Sequence, residues 1–136
     1  MNPIDKNTFL DAAWNIGCQL IKTSTWHGDS CNWQGYSIEA LNGQYQGVWK
    51  AFGSDIYSGT AGIALFLTAL YKEKKDTILL KTIGGAVEQM KSTMYQAPEH
   101  GFYAGKPGIA AALIKIGTEL DRKDWIEDGI ALLQTV

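Results

Sequence analysis

A glycine-containing turn runs directly into an apolar helix in the segment Asp55-Ile56-Tyr57-Ser58-Gly59-Thr60-Ala61-Gly62-Ile63-Ala64-Leu65-Phe66-Leu67. The pattern returns 46 residues later in the segment Gly101-Phe102-Tyr103-Ala104-Gly105-Lys106-Pro107-Gly108-Ile109-Ala110-Ala111-Ala112-Leu113. The matched positions are Tyr57 with Tyr103, Gly59 with Gly105, and Gly62 with Gly108. A repeat of this length with two helices is typical of helical-repeat proteins. The sequence therefore predicts two repeat units, over residues 55–100 and 101–136.

Each unit is predicted to contain two helices of different character. The first helices, about residues 60–74 and 107–120, are apolar on almost every side, which predicts that they are buried all round. The second helices, about residues 77–92 and from 125 onward, are one-sided. In the first of these the predicted buried stripe is Leu80, Ile83, Val87 and Met90. Gly84-Gly85 costs this helix about 1 kcal/mol per glycine, which indicates that a neighbouring helix approaches closely there.

Two elements are predicted ahead of the repeats. Residues 7–24 form an amphipathic helix in this interpretation, because apolar residues recur at helical spacing. These are Phe9, Ala13, Ile16 and Leu20, with a second line of Trp14, Cys18 and Ile21. In the segment 25–54, Asn42-Gly43 is a strong signal for a two-residue turn. The flanking segments 36–41 and 44–49 are therefore predicted to form a β-hairpin.

The segment 25–54 is also rich in aromatic residues, and two interpretations of them remain open. Most aromatic side chains contribute buried area, so these rings are expected to cover one end of the helical array. Alternatively, they form an exposed rim that contacts a peptide or another ligand. The residues concerned are Trp26, Trp33, Tyr36 and Trp49, accompanied by Tyr45.

Composition and charge limit the classes of function. A chain of 136 residues with 46% hydrophobic and 19% charged residues is expected to form a single globular domain. A net charge of −2 argues against a nucleic-acid partner. Two cysteines do not suffice for a disulfide scaffold. No apolar run reaches the length of a membrane span, and no signal-peptide pattern begins the chain. These features predict a cytoplasmic protein that does not bind membranes.

The helix pattern also suggests how the units are arranged. Glycines at the starts of the buried helices permit sharp turns and close crowding at one end of the array. Buried helices surrounded by one-sided helices favour two concentric rings, an α/α toroid, over an open solenoid. The predicted fold class is therefore all-α: a partial toroid with a small β-hairpin inserted before the first repeat.

These segments resemble lanthionine synthetase C-like (LanC-like) domains. The resemblance lies in the Gly-x-x-Gly-Ile-Ala element that begins at Gly59 and, with the same glycine spacing, at Gly105. The leading helix, the Trp33-Gln34-Gly35 segment and the hairpin also resemble the start of the cyclase domain in two-function lanthipeptide synthetases. The resemblance implies that the chain is the N-terminal part of such a domain, with its first two repeats.

The resemblance also implies a chemistry and a metal. LanC-like cyclases add a peptide cysteine thiolate to dehydroalanine or dehydrobutyrine, and zinc keeps the thiol deprotonated. The family's ligands, two cysteines and a histidine, belong to later repeats. The equivalent cysteine positions here are Tyr57 and Tyr103, and the histidine positions are Ser58 and Ala104. We therefore expect no catalytic residue and no metal ligand in this chain, with zinc only in a complete domain.

Two other site hypotheses follow from the residues. Cys18, His27, Cys31 and His100 are potential metal ligands, but their spacing contains no compact ligand motif. Asp55 and Glu99, each just ahead of a repeat turn, could form a carboxylate pair like that of inverting glycosidases. The alternative for these two acids is that they cap loops or helix ends.

These features are consistent with three functions. The first is a portion of a LanC-like peptide cyclase that is inactive alone and meets a precursor peptide or a completing polypeptide segment. The second is a non-catalytic helical-repeat module that binds a peptide or self-associates; the third is a carbohydrate enzyme. Because the pattern continues to the last residue without a C-cap, an uncapped C-terminal face is predicted to form homo-oligomers. Its apolar residues would come from Leu65, Phe66, Leu113, Ile116, Leu132 and Leu133.

Overall fold

The computed structural model of the protein describes residues 5–136. Its helices are α1 (Lys6–Thr23), α2 (Thr60–Glu73), α3 (Thr77–Thr93), α4 (Lys106–Glu119) and α5 (Lys123–Leu133). Its strands are β1 (Thr25–His27), β2 (Ser30–Asn32), β3 (Gln34–Leu41) and β4 (Gln44–Ala51), and a short 3-10 turn spans Met94–Gln96. The predicted helices and the hairpin around Asn42-Gly43 are confirmed. Among the helices of residues 5–136, none is long and apolar enough to cross a membrane.

The core lies where the two helix pairs meet. α2 packs against α3 and α4, and α4 packs against α5. Fully buried side chains from these four helices include Ala64, Leu67, Leu79, Ile83, Val87, Met90, Ile109, Leu113, Ile116 and Leu132. Glu119 of α4 also pairs with Lys72 of α2 at 2.8 Å and with Lys115 at 2.7 Å. Because exposed ion pairs contribute little, apolar burial is the main force that holds the two pairs together.

The leading helix α1 begins at a side-chain cap and packs on the core through much of the predicted stripe, including Trp14 and Leu20. The Asp5 carboxylate accepts a hydrogen bond from Thr8 N at 2.8 Å. Gly17 is the buried position of α1, and a Cβ atom there would lie 2.5 Å from a methyl carbon of Leu70. The prediction was wrong for Phe9 and Ile16, which are more than half exposed. A contact at glycine carries no apolar signal, so the sequence did not predict the close approach of Gly17 to Leu70.

Two details of the repeat helices also differ from the predictions. In α3 the buried stripe contains Leu79, whereas Leu80 is exposed. Both residues are leucine, so the sequence did not distinguish the two faces. α2 is not buried all round, because Ile63 and Phe66 are only half-buried on the flank that faces α1. On the flank that faces Lys115 and Glu119 of α4, Leu65 is half-buried and Ala69 is exposed, so α2 is incompletely covered on both flanks.

The C-terminal face is not the continuous apolar patch that the sequence predicted. Leu113, Ile116 and Leu132 are fully buried, because α5 lies along α4 and covers them. α5 crosses α4 closely at Gly129, where a Cβ atom would lie 2.8 Å from the Ala110 carbonyl oxygen. Of the other residues in that set, Leu65 and Phe66 are half-buried and Leu133 is exposed. Self-association through this face stays a prediction, with weaker support.

The two hairpins differ in how well the sequence predicts them. Asn42 and Gly43 both have positive φ, 53° and 80°, as a two-residue turn between β3 and β4 requires. The short β1–β2 hairpin was not predicted, because strands of three residues are too short to show an alternating pattern. This second hairpin packs against α3 through β2.

The glycine pair in α3 receives this short hairpin and not a neighbouring helix. A Cβ atom at Gly85 would lie 2.6 Å from the Trp26 ring and 2.9 Å from Cys31 Sγ. At Gly84, the adjacent position, a Cβ atom would meet no atom within 4 Å. The close approach expected at this pair is therefore confirmed at Gly85 alone. The predicted partner, a neighbouring helix, was wrong, because the β1–β2 hairpin makes the contact.

We expect opposite effects from alanine at these two adjacent positions. Gly84→Ala should raise the free energy of unfolding by about 0.5–1 kcal/mol, because alanine is the better helix residue and has room. Gly85→Ala should lower it by about 1–3 kcal/mol, because the new methyl group collides with Trp26 and Cys31. Urea unfolding of the two variants measures both values. Equal effects at the two sites would show that the β1–β2 hairpin does not pack on Gly85.

Candidate functional site

The two repeat turns lie side by side and are joined through the backbone. The N–H of Tyr57 donates a hydrogen bond to the carbonyl oxygen of Tyr103 at 2.9 Å. Equivalent positions of the two units are therefore in direct contact, although 46 residues separate them in the chain. Gly59 and Gly105 are the N-cap residues of α2 and α4, and both have extended backbones. The two turns thus place the N-termini of α2 and α4 at the same end of the molecule.

The second glycine of each repeat allows the helix to touch its own turn. A Cβ atom at Gly62 would overlap the carbonyl oxygen of Ile56. A Cβ atom at Gly108 would overlap the carbonyl oxygen of Phe102, which is the matching residue in the second unit. Because the obstacle is backbone in both cases, no side-chain rotation relieves it. The repeat of the glycines in the sequence therefore reflects a repeat of one close contact.

Exposed aromatic rings cover these turns. Tyr57 is 82% exposed and Tyr103 is 65% exposed, and Phe102 beside it is also exposed. The rings of Phe102 and Tyr103 meet edge to face, with centroids 5.4 Å apart. We call the surface formed by residues 55–59 and 101–105 the repeat-turn face. Aromatic residues held on a fixed backbone are enriched at binding interfaces.

Asp55 has a structural partner within the first turn. One oxygen of its carboxylate accepts hydrogen bonds from Ser58 N at 3.0 Å and from Ser58 Oγ at 3.2 Å. This is the loop-capping role that the sequence offered as the alternative to catalysis. Glu99 is exposed in the loop before the second turn. Asp55 lies in the first turn at the position that Gly101 occupies in the second, so the two turns do not repeat this acid.

The β3–β4 hairpin carries a second group of exposed rings. Tyr36 and Trp49 are opposite each other in the strand register, and their rings meet edge to face with centroids 5.9 Å apart. The Tyr36 ring crosses Gly47, where any Cβ atom would overlap its hydroxyl group. Both rings are exposed. We call this pair the hairpin platform; glycine at position 47 lets the tyrosine lie flat on the strand.

A cleft connects the hairpin platform to the repeat-turn face. It has a volume of about 520 Å³ and lies between the base of the hairpin and the first repeat turn. Tyr36 and Lys50 line it on the hairpin side, and Asp55 and Ser58 line it on the turn side. Lys50 also pairs with Glu39 across the strands. Platform, cleft and repeat-turn face therefore form one continuous surface.

The remaining two rim residues lie elsewhere. Trp33 is only 3% exposed, and its indole N–H donates to the carbonyl oxygen of Leu20 at 2.8 Å. It joins the end of α1 to the core, as the burial interpretation expected. Trp26 is partly exposed and packs over Gly85 on α3. Of the four predicted rim residues, only Tyr36 lines the cleft beside the first repeat turn, and Trp49 packs against its ring.

The four scattered potential metal ligands do not form a cluster. Within residues 5–136, no group of three His, Cys, Asp or Glu side chains lies close enough to hold a metal ion. Cys31 is buried against α3, where its Sγ donates to the Thr82 carbonyl oxygen at 3.5 Å. Burial raises the pKa of this thiol to about 11. Cys31 is therefore a buried, protonated core residue, and its thiol is directed at α3.

The structure thus defines a helix-rich protein in which paired helices begin at interlocked glycine turns. A family model for lanthionine synthetase C-like proteins matches residues 50–136, well over half of the chain. The chain belongs to the lanthionine synthetase C-like family. Neither a curated protein nor a solved structure shows significant similarity to it.

The residues at the family's zinc-ligand positions do not fit a zinc site of two cysteines and a histidine. Tyr57 and Tyr103 present exposed phenol groups, which lack the sulfur atom that zinc binds in such a site. The Ser58 hydroxyl is bound to Asp55, and Ala104 has no donor atom. The repeat-turn face therefore carries side chains without a suitable donor at the positions where the resemblance would place zinc ligands.

Sequence reasoning missed part of this surface. Phe102 extends the repeat-turn face, although its match in the first unit, Ile56, is half-buried. The exposure of Phe102 could have been predicted, because this residue directly precedes Tyr103 in the same turn. The contact between Gly47 and the Tyr36 ring was also missed. Gly47 lies two residues before Trp49 in β4, and a glycine inside a strand is only a weak signal that a ring from the neighbouring strand packs over it.

Alanine at the second repeat glycine should destabilise the protein. We expect Gly62→Ala and Gly108→Ala each to lower the free energy of unfolding by about 2–3 kcal/mol, because the methyl group meets a backbone carbonyl that cannot rotate away. Chemical unfolding of both variants, with Gly84→Ala as the control helix glycine, measures this. Wild-type stability in either variant would contradict the close contact.

Burial of Cys31 predicts a pH dependence at the alkaline side. Burial raises the pKa of its thiol to about 11 in the folded protein, above the ordinary value of 9.0. The resulting stability is present below pH 9 and is lost as the pH rises towards 11, because the unfolded chain loses this proton first. We expect Cys31→Ala to reduce the loss of unfolding free energy between about pH 8.5 and 10.5. Cys18→Ala serves as the matched control, and an equal slope in both variants would refute the assignment.

Proposed function

We propose that this chain is part of a LanC-like peptide cyclase and that it holds the precursor peptide for thioether ring formation. In this proposal the peptide crosses the hairpin platform, the cleft and the repeat-turn face. The continuity of these three regions is the observation that carries the proposal. The family membership indicates a peptide substrate, and the surface supplies exposed rings with polar groups between them.

The composition of the surface supports an extended peptide as the ligand. Tyr57 borders an apolar groove of about 490 Å³, which Ile56, Ile63 and Phe66 also line. The cleft on the other side of the same turn is more polar, with Lys50 among its lining residues. Apolar and polar side chains of a peptide would therefore find different neighbours on the two sides of the first turn. Such alternation favours a peptide over a uniformly charged ligand.

The cyclisation step itself is not assigned to these two repeats. The expected chemistry needs a thiolate held at neutral pH, and Tyr57 and Tyr103 stand where cysteines would be required. We propose that the zinc of a complete domain is held by other repeats, arranged with these two in an α/α toroid. The role of the present repeats is then to position the peptide.

Peptide binding tests this proposal directly. A fluorescein-labelled linear peptide with one cysteine and one dehydroalanine is titrated with the protein, and fluorescence anisotropy gives the dissociation constant. Tyr36→Ala and Tyr57→Ala should each weaken binding by about fivefold or more, roughly 1 kcal/mol, because each removes an exposed ring from the proposed path. Tyr95→Ala is the matched control, since Tyr95 is exposed on the 3-10 turn and lines neither cavity. Equal binding by all three variants would contradict the path.

Measurements of bound metal and of cyclisation activity test the proposal that these repeats position the peptide while other repeats hold the zinc. The purified 136-residue chain should hold no stoichiometric zinc and should close no thioether ring faster than the uncatalysed reaction. Elemental analysis and mass spectrometry of the peptide after thiol alkylation measure these two properties. About one zinc per chain, lost on Cys31→Ala or His27→Ala, would overturn the assignment. So would regioselective ring closure by the metal-free chain.

A further inference from the structure

A second cleft lies away from the repeat-turn face. It has a volume of about 470 Å³ and separates the β1–β2 hairpin from α3 and the first turn of α5. α5 begins where α4 ends, so this end of α5 lies a full helix length, about 20 Å, from the second repeat turn. The proposed peptide path does not use this cleft. Its lining combines two tryptophans with charged side chains.

A buried donor without a partner borders this cleft. Trp125, in the first turn of α5, is 2% exposed. Its indole N–H is the one buried side-chain nitrogen or oxygen in residues 5–136 that has no hydrogen-bond partner. Leaving such a group unpaired in the interior destabilises the folded protein. An acceptor supplied by a ligand would remove this cost. Arg122 lies over the ring, 4.0 Å from its centroid, and its side chain is 46% exposed.

Two cations converge on the same space. Lys81 Nζ lies 5.1 Å from the centroid of the Trp26 ring. In the described part of the chain, no carboxylate lies within ion-pair distance of Lys81. Arg122 uses Nε and Nη2 to bind Asp124, at 2.9 and 2.7 Å. Its Nη1 group has no hydrogen-bond partner among the described residues. Lys81, Arg122 and Trp125 therefore offer hydrogen-bond donors to one ligand.

The open space beside Gly84 and the charges of the lining residues limit which chemical class of ligand the cleft can bind. Gly84 forms part of its lining, and nothing lies within 4 Å of its Cβ position, so a ligand has room against the helix backbone. Asp29 and Glu88 also line the cleft, and Asp124 already holds Nε and Nη2 of Arg122. With three acids beside two cations, a dianionic phosphate is disfavoured, and a single carboxylate bound by neutral and cationic donors is the anion that the cleft can take. We infer that this cleft binds a carboxylate group, presented by a small molecule or by a peptide.

The indole N–H resonances of the protein report binding directly. The probes are N-acetylglycine, which has a terminal carboxylate, and N-acetyl-aspartic acid α-amide, which has a side-chain carboxylate. N-acetylglycinamide is the neutral control. At least one acid should shift one indole resonance downfield with a dissociation constant on the order of millimolar, and that resonance should be absent from Trp125→Phe. The acid that binds more tightly distinguishes the two carboxylate positions.

A charge variant keeps the test informative if Trp125→Phe fails to fold. Lys81→Gln should weaken binding by about fivefold, because it removes a charge-assisted donor from an exposed position. Lys123→Gln is the matched control, since Lys123 is exposed in the same turn of α5 but does not line the cleft. The inference is overturned if neither acid gives a saturable shift below about 50 mM. It is also overturned if the amide binds equally well, or if Lys81→Gln binds like the wild type.

Discussion

The first turn of α2 and the first turn of α4 each lie against a carbonyl oxygen of the loop that precedes them, and only a hydrogen atom fits between. Gly62 meets Ile56 in this way, and Gly108 meets Phe102. This constraint fixes the path of both loops. With both loops fixed, the backbone of Tyr57 reaches that of Tyr103, and the two units become one structure. Because the backbone of each turn makes these contacts within the protein, the tyrosine side chains lie on the outer side of the turns and are exposed.

The same constraint leaves one position of each repeat turn without a structural duty of its own. The glycines hold the backbone, so the residue two positions before the first glycine is free to change. Cysteine at that position would supply a zinc ligand in a LanC-like repeat, whereas Tyr57 and Tyr103 supply exposed rings. The adjoining hairpin extends the aromatic surface with Tyr36 and Trp49. In the function proposed here, the fold is kept while its metal-binding positions become positions of peptide contact.

The sequence predicted the features that depend on local pattern or on glycine. The helices, the Asn42-Gly43 turn and the matching of the two units all belong to this group. It failed where two faces of a helix look alike, as with Leu79 and Leu80, and where a contact is made by glycine, as at Gly17. It also misjudged the C-terminal face, because the burial of Leu113 depends on how α5 lies along α4. The unpaired indole of Trp125 depends on three-dimensional placement and has no signature in the sequence.

The hydrogen bond between Tyr57 and Tyr103 should make the two repeat turns move as one rigid surface. The amide of Tyr57 tests it most directly, because this amide belongs to a highly exposed residue in a turn yet donates across the two units. In native-state hydrogen exchange measured by NMR, we expect its opening free energy to approach that of amides in the middle of α4. Exchange at the rate of an unprotected loop amide would show that the turns move independently, and would contradict the claim.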